Sequence, residues 1–313
     1  MKKVPKHLKP LLEHKAEEIN WETDKIVSYS QFSTWEQCPH KWKLQNVDKL
    51  KNPPSIHLIF GTAIHTALQH YLKVMYEKSG AAADREDIVQ LFEDNLRAEY
   101  KKGFEQNKQI HFSNAEEMAE FFEDGKTILE YFRRKKGGYF STRKTHLIGI
   151  EFPLSYAPHE NYPNVKFKGF IDLIFYNENT EKLYIYDIKT STRGWKDKDK
   201  KDETKTSQIL LYKSYFSKIF DWDIDKIEVE FFIVKRKIWE ESDFPISRIQ
   251  EFIPPSGTRK RLNATEAFRT FIEDCFNVEG KPQEKEFTKI VSPLCGWCQF
   301  NDKPSLCNKI NSL

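Results

Sequence analysis

Long hydrophobic runs, glycine and proline are all scarce in this sequence of 313 residues. No apolar stretch approaches the ~20 residues of a membrane-spanning helix, and the N-terminus lacks the apolar segment of a secretory signal peptide. The 12 glycines and 14 prolines exclude a collagen-like or low-complexity chain. Because 39% of the residues are hydrophobic and 14% are aromatic, we expect a globular protein. Because the sequence lacks a membrane span and a signal peptide, we expect the protein to be cytoplasmic, without a membrane partner.

An excess of charge and an even cysteine count are also missing. The 50 Lys and Arg residues against 47 Asp and Glu leave a net charge of only +3, which by itself neither establishes nor excludes a nucleic-acid partner. Five cysteines in a chain long enough to build its own core argue against a disulfide framework. The cysteines therefore direct attention to metal or cluster binding.

The first part of the chain has helical patterning. Ser28 is a suitable cap for a short helix that ends at Cys38. Residues 61–78 place apolar side chains at i, i+3 and i+4, which predicts an amphipathic helix with His65 at the edge of its apolar stripe. Residues 84–136 continue as charged amphipathic helices.

From residue 137 the pattern changes to that of strands. Residues 147–154, 165–176 and 183–189 are rich in β-branched and aromatic residues, and the turn residues 177–180 predict that the last two strands form a hairpin. The elements predicted to follow are a charged mobile loop at 195–204, a helix at 208–220, a strand at 226–235 and a helix at 264–276.

The predicted hairpin brings two carboxylates together. If the turn is symmetric about the Asn179–Thr180 bond, Asp172 lies opposite Asp187, with Cβ atoms about 4.5–5.5 Å apart. Alternation along the strand adds Lys189 to the same face. Two carboxylates so close repel unless a cation lies between them or one is protonated, which favours a Mg²⁺ or Mn²⁺ site. On these three residues alone, a solvated group of cross-strand ion pairs remains the alternative.

Several short motifs occur in an order typical of one family. The segments Gly169-Phe-Ile-Asp172 and Tyr186-Asp187-Ile-Lys189 resemble the PD-(D/E)XK nuclease superfamily, specifically its RecB-like branch. Gly61-Thr-Ala-Ile-His65 is similar to the histidine motif of that branch, Gln208-Ile-Leu-Leu-Tyr212 to its QxxxY motif, and Cys38-Pro-His-Lys-Trp to its early cysteine motif. The combination is more specific than any one motif.

The resemblance implies a metal site. His65, Asp172, Asp187 and the backbone carbonyl of Ile188 would hold Mg²⁺ or Mn²⁺, and Glu151 matches an acidic position on the preceding strand. Without the family context, His65 reads as a histidine at the edge of a core helix.

The resemblance also assigns a catalytic group. Lys189 would stabilise the developing phosphorane charge or orient the attacking hydroxide. Gln208 and Tyr212, four residues apart on one helix, would hold the nucleic-acid backbone or position Lys189. A core aromatic residue beside a capping glutamine is the alternative for this pair.

The late cysteines fit a second metal centre. Some RecB-like nucleases, AddB-type and CRISPR-associated adaptation nucleases among them, bind a [4Fe–4S] cluster with one early and three late cysteines, which here would be Cys38, Cys295, Cys298 and Cys307. The longer gap before Cys307 leaves zinc or a degenerate site open. Cys275 is interpreted as a core residue.

Basic clusters and one exposed-looking tryptophan suggest where DNA binds. These candidate contacts can follow a phosphate backbone, and solvated surface charge is the alternative for each cluster. They are Arg133, Arg134, Trp195, Lys196, Lys235, Arg236, Arg259 and Arg261.

Together these features predict an α/β protein with a restriction-endonuclease-like mixed sheet flanked by helices. We expect a peripheral arm at 1–27, a helical region at 28–136, a nuclease core at 137–260 and a cysteine-bearing segment at 261–313, forming one catalytic domain. The resemblance implies a DNA exonuclease acting on ends or single strands in repair or recombination, with a helicase, recombination or integrase partner left open. A silent DNA-end clamp or recombination scaffold and a sequence-specific restriction endonuclease are the alternatives.

Overall fold

The computed structural model describes residues 4–239, 241, 244–301, 303 and 305–307. The start of the predicted arm, residues 1–3, and the end of the cysteine-bearing segment, residues 308–313, lie outside the described residues. The helices are α1 (Lys9–Leu12), α2 (Tyr29–Gln37), α3 (Pro39–Asn46), α4 (Ile56–Glu77), α5 (Gly80–Ala83), α6 (Ile88–Gln106), α7 (Ala115–Lys135), α8 (Asp197–Lys201), α9 (Glu203–Phe220) and α10 (Thr258–Cys275). The strands are β1 (Lys25–Val27), β2 (Thr145–Tyr156), β3 (Val165–Asn177), β4 (Lys182–Ser191), β5 (Ile227–Lys235) and β6 (Ile249–Phe252).

The chain divides into two compact units. Unit 1 comprises Met1–Lys15, Pro54–Phe152 and Phe170–Ser256. Unit 2 comprises Ala16–Pro53, Pro153–Gly169 and Gly257–Leu313. The boundaries predicted after residues 27, 136 and 260 stay predictions.

The described strands form the mixed sheet that the sequence predicts, and helices flank it. In unit 1, β4 pairs antiparallel with β3 and parallel with β5, while β6 pairs antiparallel with β5 and β2 pairs with β3. In unit 2, β1 runs parallel to the first residues of β3. Because β4 and β5 are parallel, the chain must cross over between them, and α9 makes that crossover.

The β3–β4 hairpin has the predicted register. The paired residues run from Leu173 with Tyr186 to Asn177 with Lys182, so each pair of numbers sums to 359. The Asn177 side chain starts the turn, because its Oδ1 accepts hydrogen bonds from the backbone N–H groups of Asn179 and Thr180. Extending this register by one residue places Asp172 opposite Asp187.

The core of unit 1 lies between one face of the sheet and α4, α6 and α7. Ile188 and Leu173 from the sheet pack there with the buried stripe of α4, which carries the predicted apolar residues Ile64, Ala67, Leu68, Tyr71, Leu72 and Met75. Asp187 and Lys189 flank Ile188 in sequence and therefore point to the other face, where α9 packs on β4 and β5. Among the described helices, none combines the length and apolarity needed to cross a bilayer.

The charged stretch 195–204 is not a mobile loop. It contains α8, and the Trp195 ring packs 4.8 Å from the Phe231 ring between centroids. The Trp195 backbone is bonded at both ends to one side chain, since its N–H donates to Gln250 Oε1 and its carbonyl accepts from Gln250 Nε2. Packing of Trp195 on the sheet thus anchors this stretch, while Lys196, Asp197 and Lys198 remain exposed.

A pair of carboxyl groups lies on neighbouring strands β5 and β6. Glu230 is hydrogen bonded to Glu251 and to Tyr186, and burial followed by repulsion from Glu251 raises the pKa of Glu230 from 4.5 to about 7. The folded state therefore binds a proton here that the unfolded chain releases at lower pH.

The substitution Glu230→Gln tests this proton. A carboxyl group whose pKa is raised in the folded state stabilises that state fully at a pH below its ordinary pKa, which is 4.5 for Glu230. This contribution to stability is lost as the pH rises towards about 7. At pH 7.5 the Glu230→Gln variant should therefore melt at a higher temperature than the wild type, by about 2–4 °C per kcal/mol of stability gained. At pH 4.5 the two proteins should melt at similar temperatures. Melting curves at both pH values check this; an equal difference at both would contradict it. Glu228→Gln on the same strand is the control.

Candidate active site

The hairpin and α4 bring the predicted acidic and basic groups together in unit 1. Asp172 Oδ2 accepts a hydrogen bond from the Ile188 backbone N–H at 2.6 Å and lies 3.7 Å from His65 Nδ1. Lys189 Nζ lies 2.8 Å from Asp187 Oδ2. Asp187 is only 2% exposed, so the alternative of a solvated ion-pair group on an open sheet face does not describe this cluster.

A third acidic residue completes a compact group of potential metal ligands. One ligand atom each from His65, Glu151 and Asp172 lies within 4.8 Å of the others. Asp187, predicted as a ligand with them, is not in this group among the described residues and is paired with Lys189 instead. A cation held by His65 and Asp172 would therefore also lie within reach of the Glu151 carboxylate.

Strain in β2 helps to aim Glu151. Its φ of +48° is in the left-handed region, which is uncommon for a residue other than glycine and is concentrated at functional sites. The neighbouring Gly149 is required sterically, because a Cβ atom there would lie 2.5 Å from the Phe152 ring. The strand is locally distorted around the one carboxylate that it contributes to the site.

Gln69 is a site residue that the sequence analysis missed. Its Nε2 donates to Glu151 Oε1 at 2.6 Å, with the Asp172 carbonyl oxygen 3.4 Å away, and the side chain is buried. The available signal was its position four residues after His65, which places both on one face of α4. Gln69 thus fixes the orientation of Glu151.

The electrostatics of the cluster fit a divalent cation. Burial, then repulsion by Asp187, raises the pKa of Asp172, and burial also raises the pKa of Asp187 against the opposing effect of Lys189. Burial and the nearby Lys189 charge lower the pKa of His65 to about 4, which leaves a neutral imidazole at pH 7. Crowded carboxylates and a neutral histidine are a donor set that Mg²⁺ or Mn²⁺ satisfies.

A chain of hydrogen bonds from α9 holds Lys189. Its Nζ donates to Gln208 Oε1 at 2.7 Å, and Gln208 Nε2 donates to the Tyr212 hydroxyl at 3.0 Å. Tyr212 is 4% exposed, and burial raises the pKa of its hydroxyl. Of the two roles predicted for this pair, the contacts favour positioning of Lys189 over direct contact with a nucleic-acid backbone.

Four of the five cysteines surround one cavity in unit 2. Its volume is about 240 Å³, and the cysteines that line it are Cys38, Cys295, Cys298 and Cys307. Burial raises the pKa of the Cys307 thiol, and the other three cysteines of the cavity raise it further. Cys275 is fully buried and does not line the cavity, as its interpretation as a core residue requires.

Local structure positions the early cysteine. Cys38 lies between α2 and α3, and Pro39 is the first residue of α3. His40 then ties this corner to the tail, because its N–H donates to the Thr288 carbonyl and its Nε2 lies 2.9 Å from the Leu306 carbonyl oxygen.

Several predicted DNA contacts already have protein partners. Arg236 pairs with Asp124 at 2.7 Å and with Glu120 at 3.0 Å, and Arg133 donates to the Glu86 carbonyl. The Trp195 ring packs on β5 as described. The roles of all these residues, and of Arg134, Lys196, Lys235, Arg259 and Arg261, in DNA binding stay predictions.

Carboxylates and a lysine on a mixed sheet, beside a histidine on a helix, are typical of metal-dependent phosphodiester hydrolases. The chain matches the sequence model of the PD-(D/E)XK nuclease superfamily over residues 26–303, and it belongs to that superfamily. The match includes every residue of the cluster in unit 1, whereas Cys307 lies beyond its end. No curated protein matches the chain at a significant level.

The substitution Glu151→Gly tests whether strain is stored for function. Glycine suits the positive φ, and loss of the carboxylate removes repulsion that raises the pKa of Asp172. We expect the metal-free variant to gain about 1 kcal/mol of stability and to lose most DNA cleavage.

The matched control is Glu181→Gly in the hairpin turn. Glu181 also has a positive φ, of +54°, but lies outside the cluster, so this variant should gain stability with unchanged cleavage. Urea unfolding and cleavage rates measure both. A destabilised or fully active Glu151→Gly variant contradicts the interpretation.

Proposed function

We propose that this protein is a Mg²⁺- or Mn²⁺-dependent deoxyribonuclease that hydrolyses DNA at ends or in single strands, as an exonuclease. The observation that carries the proposal is the convergence of His65, Glu151 and Asp172 beside the Asp187–Lys189 pair. Membership of the nuclease superfamily supports it.

The chain's own groups divide the work at the scissile phosphate. The groups that would hold the metal are His65, Asp172, Asp187, the Ile188 carbonyl and Glu151. A metal bound there would polarise a phosphoryl oxygen and lower the pKa of a water. Lys189, held by Asp187 and Gln208, donates to the oxygen that gains charge or orients the attacking one. The neutral imidazole of His65 offers a lone pair without adding charge.

The substitution Asp187→Ala tests the catalytic assignment. It removes a carboxylate and releases Lys189, so cleavage with Mg²⁺ or Mn²⁺ should fall more than about a hundredfold, since even groups that merely support metal ligands contribute about 10–100-fold. Asp94→Ala, on the exposed side of α6, is the control and should remain active. Cleavage that survives Asp187→Ala would overturn the assignment.

The same assay separates the modes of action. An exonuclease degrades end-labelled linear strands and leaves closed circular DNA intact, whereas a sequence-specific restriction endonuclease cuts circles into discrete fragments. A silent end-binding scaffold would give no metal-dependent turnover on any substrate.

We further propose that Cys38, Cys295, Cys298 and Cys307 bind a [4Fe–4S] cluster. All four cysteines line one cavity, and a set of four thiolates suits such a cluster. Zinc, which accepts the same ligands, is the alternative.

The substitution Cys298→Ser tests the cluster. Anaerobically purified wild-type protein should be brown, with visible absorption, and Cys298→Ser should lose the colour together with most of the iron. Cys275→Ala, which changes the cysteine outside the cavity, should keep both. Iron, zinc and sulfide analysis measures the outcome, and a colourless wild type with one zinc per chain would contradict the cluster.

A further inference from the structure

A groove in unit 1 leads away from the candidate metal ligands along α4 and β2. It has a volume of about 800 Å³, and α4 contributes Gln69, His70, Lys73, Tyr76 and Glu77 to its wall. At one end, Gln69 is the residue hydrogen bonded to Glu151. The groove therefore starts at the proposed site of cleavage.

At its other end the groove meets a cavity lined by aromatic rings, which we name the tyrosine pocket. Tyr76 and Thr145 line both the groove and this pocket, whose volume of about 180 Å³ is more than ten times the ~10–15 Å³ that a single water requires. Its aromatic lining consists of Tyr76, Tyr139, Phe140, Phe175, Tyr184 and Tyr186.

The tyrosine hydroxyls of this pocket are bonded to the protein itself. Tyr76 donates to the Ser141 carbonyl, and the hydroxyl of Tyr184 lies 3.2 Å from Thr180 Oγ1. The Tyr139 hydroxyl lies 3.1 Å from Ser247 Oγ, and Tyr186 is hydrogen bonded to Glu230. The rings are thus fixed in orientation, and Ser141, Thr145 and Asn177 add polar groups to the lining.

Lys73 lies between the two ends of the groove. It is exposed and forms no ion pair within the described part of the chain. Its position, four residues after Gln69 and three before Tyr76, puts it on the same helical face as both. A mobile ammonium group in this place suits a phosphate, whereas rigid aromatic rings suit a planar base.

From these contacts we propose that the groove holds the single strand of nucleic acid that leads away from the cleaved phosphate, with Lys73 against its backbone and one base stacked in the tyrosine pocket. The proposal rests on the proposed function, and it adds a binding site for a second part of the substrate. Base stacking on aromatic side chains is tolerant of sequence, so the site requires no particular base.

The length of α4 sets where the stacked base falls. Tyr76 follows His65 by eleven residues, which at ~1.5 Å per residue is about 16 Å along the helix. With ~3.4 Å per stacked nucleotide as the shortest spacing, the base in the pocket lies no more than about five nucleotides from the cleaved bond. A mononucleotide bound at the cleaved bond should not reach the pocket.

The test compares Tyr184→Leu, which removes an aromatic face, with Tyr184→Phe, which keeps it. Fluorescent oligothymidines of two to twelve nucleotides are titrated into each variant in the Asp187→Ala background. In the variant that keeps Tyr184, the affinity for the oligothymidine should rise in a step once the strand is long enough to reach the pocket. Tyr184→Leu should lose this step, weakening binding of the long strands by about 5- to 140-fold, and Tyr184→Phe should retain it.

Several controls make the outcome decisive. Tyr100→Leu changes a partly buried tyrosine of unit 1 outside the groove and should bind like its parent. Lys73→Gln should weaken binding and reduce its salt dependence by about one phosphate contact. Thermal melting confirms that each variant is folded.

The results that would overturn the pocket differ from those that would overturn the nuclease. Equal binding by folded Tyr184→Leu and Tyr184→Phe, or affinity without a length step, rejects the pocket even when Asp187→Ala abolishes cleavage. Thymidine monophosphate binding as tightly as the long strand would show a free-nucleotide site and also reject it. If the wild-type protein, with Tyr184 and Asp187 intact, does not cleave DNA, the nuclease proposal is rejected. The binding titrations still test the pocket in that case.

Discussion

Repulsion between two buried carboxylates is the constraint on which the rest of the site depends. The hairpin register directs Asp172 and Asp187 to one face of the sheet, and burial raises the pKa of both. The Ile188 N–H and the Lys189 ammonium each stabilise one of them. Lys189 carries one positive charge, whereas Asp172, Asp187 and Glu151 together offer three carboxylates. The cluster therefore has an excess of negative charge that a divalent cation would balance.

The hairpin and its charged pair could be predicted because their determinants are local. Alternation and the turn at Asn177 fix the register, and register alone brings Asp172 to Asp187. Gln69 could not be found in this way, since it meets Glu151 across 82 residues of sequence. The left-handed backbone of Glu151 also has no sequence signature.

Long-range packing also determines local structure that charge alone does not indicate. A run of lysines and aspartates near Trp195 suggests a loop, but the ring finds Phe231 on the sheet and a helix forms beside it. Arg236 reads as part of a basic DNA-binding cluster, yet its guanidinium pairs with Asp124, 112 residues away, and lies over the Phe121 ring. Composition indicates solvent exposure only on average, and one aromatic or acidic partner reverses it.

Ligand chemistry separates the two proposed metal centres. Unit 1 offers carboxylate oxygens and one imidazole, which are hard or borderline donors suited to Mg²⁺ and Mn²⁺. Unit 2 offers four cysteine sulfurs around one cavity, which are soft donors suited to iron–sulfur clusters or zinc. Mg²⁺ binds thiolates poorly, and no thiol belongs to the compact ligand group of unit 1 among the described residues. The two proposed centres would therefore bind different metals, the first a hard divalent cation and the second a soft one.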